Sequence, residues 1–142
     1  ANDKAIKPCK FIIDENITKE DLYIAEDTII IIPTEKDNEK IFIENDPVLR
    51  LIIKENSGNV FSPANIKGLE FNKVIIYKFG EVSENIIRTL LENNEVDENI
   101  YIKASYFFNK LYVAITRAKE YLFIVDTKSG EEYLWKYFTE GS

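Results

Sequence analysis

The stretch Thr28-Ile29-Ile30-Ile31-Ile32-Pro33 decides the fold class of this 142-residue chain. Five β-branched residues in succession predict a strand over 28–32. The apolar run is continuous rather than alternating, so both faces of the strand should be buried. Strands of this kind are typical of parallel sheets, because the connecting helices cover both sides. Pro33 ends the run, since proline has no N–H to donate to a neighbouring strand.

The rest of the chain alternates short apolar runs with helix-like segments. Further strands are predicted over 10–13, 59–62, 73–79 and 120–125. Helices are predicted over 18–25, from Pro47 with Asp46 as N-cap, over 83–91 with Ser83 as N-cap, over 99–118 and over 131–138. The segment 35–43 fits either a helix or a strand, and 93–99 reads as an acidic loop. This alternation predicts one α/β domain over 1–142, with a largely parallel central sheet and helices on both faces.

The composition excludes several classes of protein. The chain contains no histidine, which removes Ser-His-Asp catalysis and imidazole-ligated zinc. Its one cysteine, Cys9, cannot form an intramolecular disulfide or a multi-thiolate metal site. We therefore predict no metal site within the chain. No apolar run is long enough for a membrane span and no signal peptide is evident, so we expect a cytoplasmic protein.

The charge is negative and unevenly distributed. Residues 1–100 carry 12 basic and 20 acidic side chains, a net charge of −8, whereas residues 101–142 carry 6 and 5, a net charge of +1. Stand-alone nucleic-acid binders are usually basic. We therefore expect the isolated chain to bind DNA poorly at physiological salt, and a sub-micromolar affinity would contradict this expectation.

The segment from Ser62 to Phe71 is the first place where chemistry could occur. It follows the strand predicted over 59–62, and ligands of open α/β sheets bind at the carboxyl ends of strands. Gly68 permits positive φ or close approach of a ligand, and it lies between the cation Lys67 and the acceptor Glu70. From these residues alone, a polar turn remains the alternative.

The second segment is Leu111-Tyr112-Val113-Ala114-Ile115-Thr116-Arg117-Ala118-Lys119. Arg117 ends an apolar helix just before a buried strand, so a planar cation could project from a firm base there. The guanidinium suits phosphate oxygens and can stabilise charge in phosphoryl transfer. The alternative is an arginine that satisfies the last carbonyl groups of the helix.

Together, Lys67-Gly68-Leu69-Glu70-Phe71 and Tyr112-Val113-Ala114-Ile115-Thr116-Arg117-Ala118 resemble motifs V and VI of the UvrD/Rep-like superfamily one helicases. The two motifs occur in the family's order, and each is followed by the apolar strand that the family shows. The resemblance covers about 60–125. It implies a RecA-like three-layer domain, namely the second, C-terminal motor domain of an ATP-dependent DNA helicase, and therefore part of a longer chain.

The resemblance also implies roles for individual residues. In this family ATP binds between two RecA-like domains, and single-stranded nucleic acid crosses both. Arg117 would reach the γ-phosphate as the catalytic residue, and Glu70 would contact the ribose. Gly68 would shape the nucleotide loop, while Ser62, Lys67 and Thr116 would contact nucleic acid. ATP and Mg²⁺ would be bound mainly by the N-terminal RecA-like domain, which is the expected partner together with single-stranded DNA.

The sequence departs from the family pattern at some positions. Ala64 stands where the family commonly has histidine, which removes one nucleic-acid contact, and the lead into motif VI is altered over 106–110. No GxxxxGK[ST] phosphate loop is present, so nothing in the chain cradles a β-phosphate. We therefore expect negligible ATP hydrolysis by the chain alone.

Two other interpretations stay open at this point. The chain could be a degenerate RecA-like module that serves interaction or regulation without motor activity. Such a module would need the apolar positions but not Arg117. A flavodoxin-like or receiver-type domain would fit the strand and helix order, but it explains neither motif.

Overall fold

The computed structural model describes residues 9–13, 28–53, 59–92 and 98–139. Within them, five strands form one sheet in which every neighbouring pair is parallel. The strands are β1 Cys9–Ile13, β2 Thr28–Ile31, β3 Val60–Phe61, β4 Phe71–Tyr77 and β5 Ala118–Thr127. Their order across the sheet is β1-β5-β4-β2-β3. The predicted α/β class with a parallel sheet is confirmed.

Helices cover both faces of this sheet. They are α1 Glu39–Glu44, α2 Pro47–Ile53, α3 Phe79–Glu92, α4 Glu98–Ile115, α5 Lys128–Gly130 and α6 Lys136–Thr139. A π-helical turn, Glu131–Trp135, joins the last two, and a 3-10 turn, Pro63–Ile66, links β3 to β4. Apolar residues of α1 and α2 pack on one face, and those of α3, α4 and the C-terminal helical segment pack on the other. No helix in the described ranges is long and apolar enough to cross a membrane.

Strand β2 shows why the opening isoleucine run is continuous. Ile30 belongs to the core under α1 and α2, whereas Ile31 belongs to the core under α3 and α4. Successive side chains of a strand point to opposite faces, so a sheet covered on both sides needs an apolar residue at every position. The prediction of a strand that is covered on both faces is confirmed.

We expect Ile30→Ala to lower the free energy of unfolding by about 2 to 5 kcal/mol, since the side chain is 1% exposed and its removal leaves a cavity. Urea denaturation of the 142-residue chain measures this loss. Ile102→Ala is the matched control, because Ile102 is 56% exposed on α4 and its truncation should change stability by less than about 0.5 kcal/mol. A loss below 1 kcal/mol at Ile30 would contradict the packing described above.

The prediction that Ser83 caps a helix over 83–91 is wrong. Helix α3 begins at Phe79, and the Ser83 hydroxyl lies inside it, donating to the Gly80 carbonyl at 2.8 Å. The cap comes instead from Asp126, at the carboxyl end of β5, whose carboxylate accepts from the backbone N–H groups of Gly80 and Glu81 at 2.6 and 3.1 Å. A cap supplied from 46 residues away leaves no local sequence signal.

The other predicted secondary-structure elements agree better with the structure. The cap at Asp46 is confirmed, because its carboxylate accepts from the Leu49 N–H at 2.9 Å. The ambiguous segment 35–43 contains helix α1, not a strand. In α4, Tyr101 is 65% exposed, although it lies one turn before the buried Ala104. The helix predicted over 18–25 and most of the loop predicted over 93–99 lie outside the described residues, although Glu98 and Asn99 belong to α4.

Candidate functional site

The segment from Ser62 to Phe71 runs along one face of the sheet, from the carboxyl ends of the strands (the carboxyl edge) to their amino ends (the amino edge). It leaves the carboxyl end of β3, passes through the 3-10 turn, and reaches the amino end of β4. Ile66 anchors this crossing, since it is fully buried in the core under α4. The expectation of a carboxyl-edge site therefore applies to Ser62, whereas Lys67, Gly68 and Glu70 lie at the amino edge. The position of these three residues at the amino edge could not be predicted from the sequence, because a nine-residue link is short for a crossover between parallel strands.

Gly68 provides the turn that ends the crossing. Its φ is +86°, in the left-handed region that favours glycine. A Cβ at Gly68 would have no heavy atom within 4 Å, so its surroundings are open. Lys67 and Glu70 are both exposed, and neither forms an ion pair within the described part of the chain. A cation and a carboxylate are thus presented to solvent on a turn with a defined backbone.

Ser62 and Asn65 both donate hydrogen bonds to Glu39, a residue that no motif in the sequence selects. The Glu39 carboxylate accepts from the Ser62 N–H at 3.2 Å and from the Asn65 side-chain amide. Partial burial would raise the pKa of Glu39, but hydrogen bonds from its own backbone, from Ser62 and from Asn65 outweigh that effect and lower it. Ser62 itself is fully buried. A direct contact between its hydroxyl and nucleic acid would require this segment to open.

Arg117 lies two residues after Ile115, the last residue of α4. Its Nη2 donates to the Thr116 hydroxyl at 3.1 Å, and its Nε is buried without a hydrogen-bond partner among the described residues. Buried donors are rarely left unpaired. The Arg117 guanidinium therefore has donor capacity that the described part of the domain does not use.

Thr116 closes the end of α4. Its hydroxyl lies 2.9 Å from the Tyr112 carbonyl oxygen and 3.0 Å from that of Val113. The backbone N–H groups of Thr116 and Arg117 donate to the Tyr112 and Ala114 carbonyls at 3.1 and 3.2 Å. The Tyr112, Val113 and Ala114 carbonyls are satisfied in this way, which weakens the case for an Arg117 side chain that merely caps the helix.

The two segments meet at the amino edge of the sheet. The Phe71 N–H donates to the Arg117 carbonyl at 2.7 Å, and Phe71 pairs with Ala118 where β4 and β5 begin. Glu70 and Arg117 therefore enter neighbouring strands side by side. Of the residues selected from the sequence, Lys67, Gly68, Glu70, Thr116 and Arg117 come together at this edge, and Ser62 lies at the opposite one.

A five-stranded parallel sheet covered by helices on both faces is an α/β architecture consistent with a RecA-like domain. The comparison with known families agrees, since the model of the UvrD-like helicase C-terminal domain matches residues 59–129, half of the chain. The chain belongs to this family. The match includes both segments described above. A comparison with curated proteins finds no significant match.

Proposed function

We propose that this chain is the second motor domain of an ATP-dependent DNA helicase, and that Arg117 contacts the γ-phosphate of ATP bound between it and an N-terminal RecA-like domain. One observation carries the proposal. The Arg117 guanidinium follows α4 closely, lies beside the exposed Lys67–Glu70 turn, and has a buried donor without a partner among the described residues. A planar fork of donors fixed in this way suits the oxygens of a transferring phosphoryl group.

The roles of the neighbouring residues follow from their exposure. Glu70 would accept hydrogen bonds from the ribose hydroxyls, and Gly68 would allow the nucleotide to approach the backbone closely. ATP supplies the phosphoryl group, and the accompanying Mg²⁺ neutralises charge on its phosphates. Residues 9–13, 28–53, 59–92 and 98–139 contain no cluster of three or more possible metal ligands. We therefore assign the Mg²⁺ ligands and the phosphate loop to the N-terminal domain.

Lys67 is the best placed of the three proposed nucleic-acid contacts. Its side chain is exposed, and the turn that carries it adjoins the nucleotide residues. Ser62 is buried, and the Thr116 hydroxyl is occupied by helix carbonyls and by Arg117. Lys67 would thus supply the main electrostatic contact of this domain to a phosphate backbone, and the basic track would come mainly from the partner domain.

The alternative is a degenerate RecA-like module that serves interaction or regulation. The net charge of −7 and Ala64 favour this alternative. Arg117 argues against it, because a module without motor activity gains nothing from a guanidinium whose Nε has no partner in the described domain. An unpaired buried donor costs about 1 to 3 kcal/mol, which is a reason to expect a ligand for it.

A reconstitution experiment tests the proposal. The 142-residue chain alone should show negligible ATP turnover with single-stranded DNA present. The same chain joined to its N-terminal RecA-like domain should hydrolyse ATP, with turnover stimulated by single-stranded DNA. Turnover by the chain alone, or no turnover by a folded two-domain protein that binds DNA, would contradict the proposed role.

A further inference from the structure

A cavity of about 430 Å³ opens at the carboxyl edge of the sheet, across the domain from the Arg117 edge. Thr34, which follows β2, and Lys78, which follows β4, form two of its sides. These strands are neighbours, yet β2 continues through α1 and α2 on one face and β4 continues through α3 and α4 on the other. The cavity therefore lies at a topological switch point, where open parallel sheets bind ligands.

The walls of this cavity combine apolar and polar groups. Ile41 and Val82 are 57% and 44% exposed, which is high for aliphatic side chains beside a cavity. Asn38 and Asn45 also line it, and neither side-chain amide has a hydrogen-bond partner in the described part of the chain. Apolar surface with a few convergent polar groups is the usual make-up of a small ligand site, and the volume lies within the range of such sites.

Hydrogen bonds and an ion pair connect the residues at the base of the cavity. Asp46 accepts from the Tyr77 hydroxyl at 2.8 Å and forms an ion pair with Lys78 Nζ at 2.9 Å. Lys78 has a φ of +56°, which is uncommon for a residue other than glycine, and its N–H donates to the Val125 carbonyl at 2.8 Å. Because these contacts are already formed, a ligand entering the cavity would need little rearrangement at its base.

The charge of the lining selects the ligand. Asp46 neutralises Lys78, and Glu81 on the other side of Lys78 is 3.6 Å from it with its side chain 44% exposed. The three groups sum to a charge of −1, and the part of the sequence that contains them, residues 1–100, carries a net charge of −8. A phosphate group would be repelled here, whereas a cation would be attracted.

We propose that this cavity binds an arginine side chain from a basic peptide segment of a partner protein, an interaction separate from the proposed motor function. The guanidinium would donate to the Glu81 carboxylate and to the amide oxygens of Asn38 and Asn45. Its aliphatic stem would lie against Ile41 and Val82. Arginine fits better than lysine because its planar fork offers several donors in fixed directions.

Titration of the 142-residue chain with a short peptide tests this proposal by NMR. The probes are the acetylated and amidated pentapeptide Gly-Gly-Arg-Gly-Gly and its citrulline counterpart, which keeps the shape of the side chain and removes its charge. We expect the arginine peptide to shift the side-chain amide signals of Asn38 and Asn45 and the methyl signals of Val82. The citrulline peptide should bind about tenfold more weakly, since a hydrogen bond to a charged group is worth more than a neutral one.

Two variants distinguish specific binding in this cavity from nonspecific electrostatic attraction of the peptide to an acidic protein. Glu81→Gln should reduce arginine-peptide binding to the citrulline level. Glu84→Gln should leave it unchanged, because Glu84 lies on the same helix but pairs with Arg88. Equal binding of both peptides, the same loss in both variants, or no shifts would overturn the proposal. Stronger shifts of these signals by an oligothymidine would also overturn it and would assign the cavity to nucleic acid.

Discussion

Arg117→Ala is expected to lower ATP turnover about 10³-fold in the two-domain protein, because an arginine that stabilises the charge of a transferring phosphoryl group contributes a factor of this size or more. Binding of single-stranded DNA should stay mostly intact, since the proposed backbone contact comes from Lys67. Steady-state turnover and fluorescence anisotropy with a labelled oligonucleotide measure the two effects separately. The free energy of unfolding should stay equal or rise, because the guanidinium donates within the described domain only to Thr116 and its buried Nε has no partner there to lose.

Two further variants test whether the orientation of Arg117 matters. Thr116→Val removes the hydroxyl that accepts from Arg117 Nη2 and should lower turnover by a smaller factor with little effect on the affinity for ATP. Lys110→Ala removes a cation from the same helix that pairs with Glu35, and it should leave turnover unchanged. If Arg117→Ala reduced DNA binding and turnover equally, Arg117 would be a structural residue and the proposed function would lose its main support.

The pattern of apolar residues was sufficient to predict the class of the fold. The isoleucine run of β2 and the apolar runs of β4 and β5 could be recognised because parallel strands buried on both faces need apolar residues at every position. The start of α3 could not be predicted, since its cap comes from Asp126 on a distant strand and only tertiary structure brings them together. The π-helical turn Glu131–Trp135 likewise had no signal in the spacing of the residues.

The candidate site was predictable as a set of residues but not as an arrangement. The resemblance selected Gly68, Glu70 and Arg117, and the Phe71 to Arg117 backbone hydrogen bond brings the two segments together. The position of the site at the amino ends of the strands was not predictable. The short segment from Ser62 to Phe71 crosses the whole face of the sheet instead of turning back at the carboxyl ends. Glu39 was missed for a similar reason, since its contacts with Ser62 and Asn65 span more than 20 residues.

The domain also depends on a buried carboxylate that the proposed function does not use. Asp126 is fully buried and accepts from the N–H groups of Gly80, Glu81 and Thr127 and from the Trp135 indole at 2.7 Å. It therefore joins β5, the start of α3 and the C-terminal helical segment. Gly130 has no room for a side chain, since a Cβ there would lie 2.1 Å from Asp126 Oδ1.

Asp126→Ala is expected to lower the free energy of unfolding by about 3 to 6 kcal/mol, because it removes hydrogen bonds from the buried Gly80 N–H and the Trp135 indole, at about 1 to 3 kcal/mol each, and opens a cavity. Urea denaturation followed by Trp135 fluorescence measures this loss. Glu120→Ala is the control on the same strand, since Glu120 is exposed and its removal should cost less than about 0.5 kcal/mol. A loss below 1 kcal/mol would mean that water replaces the carboxylate.

The pH dependence of this loss of stability distinguishes the contribution of the titrating carboxyl group from that of side-chain packing, which does not depend on pH. Burial raises the pKa of Asp126 above its ordinary value of 3.8, and the hydrogen bonds from Trp135 and from the backbone offset only part of this effect. A raised pKa means that the folded state holds the proton more tightly, so the contribution of Asp126 to stability falls as the pH rises through that pKa. The loss caused by Asp126→Ala should therefore be larger at about pH 4 than at about pH 8, and a loss that grew with pH would show that the ionised form is the one stabilised by folding.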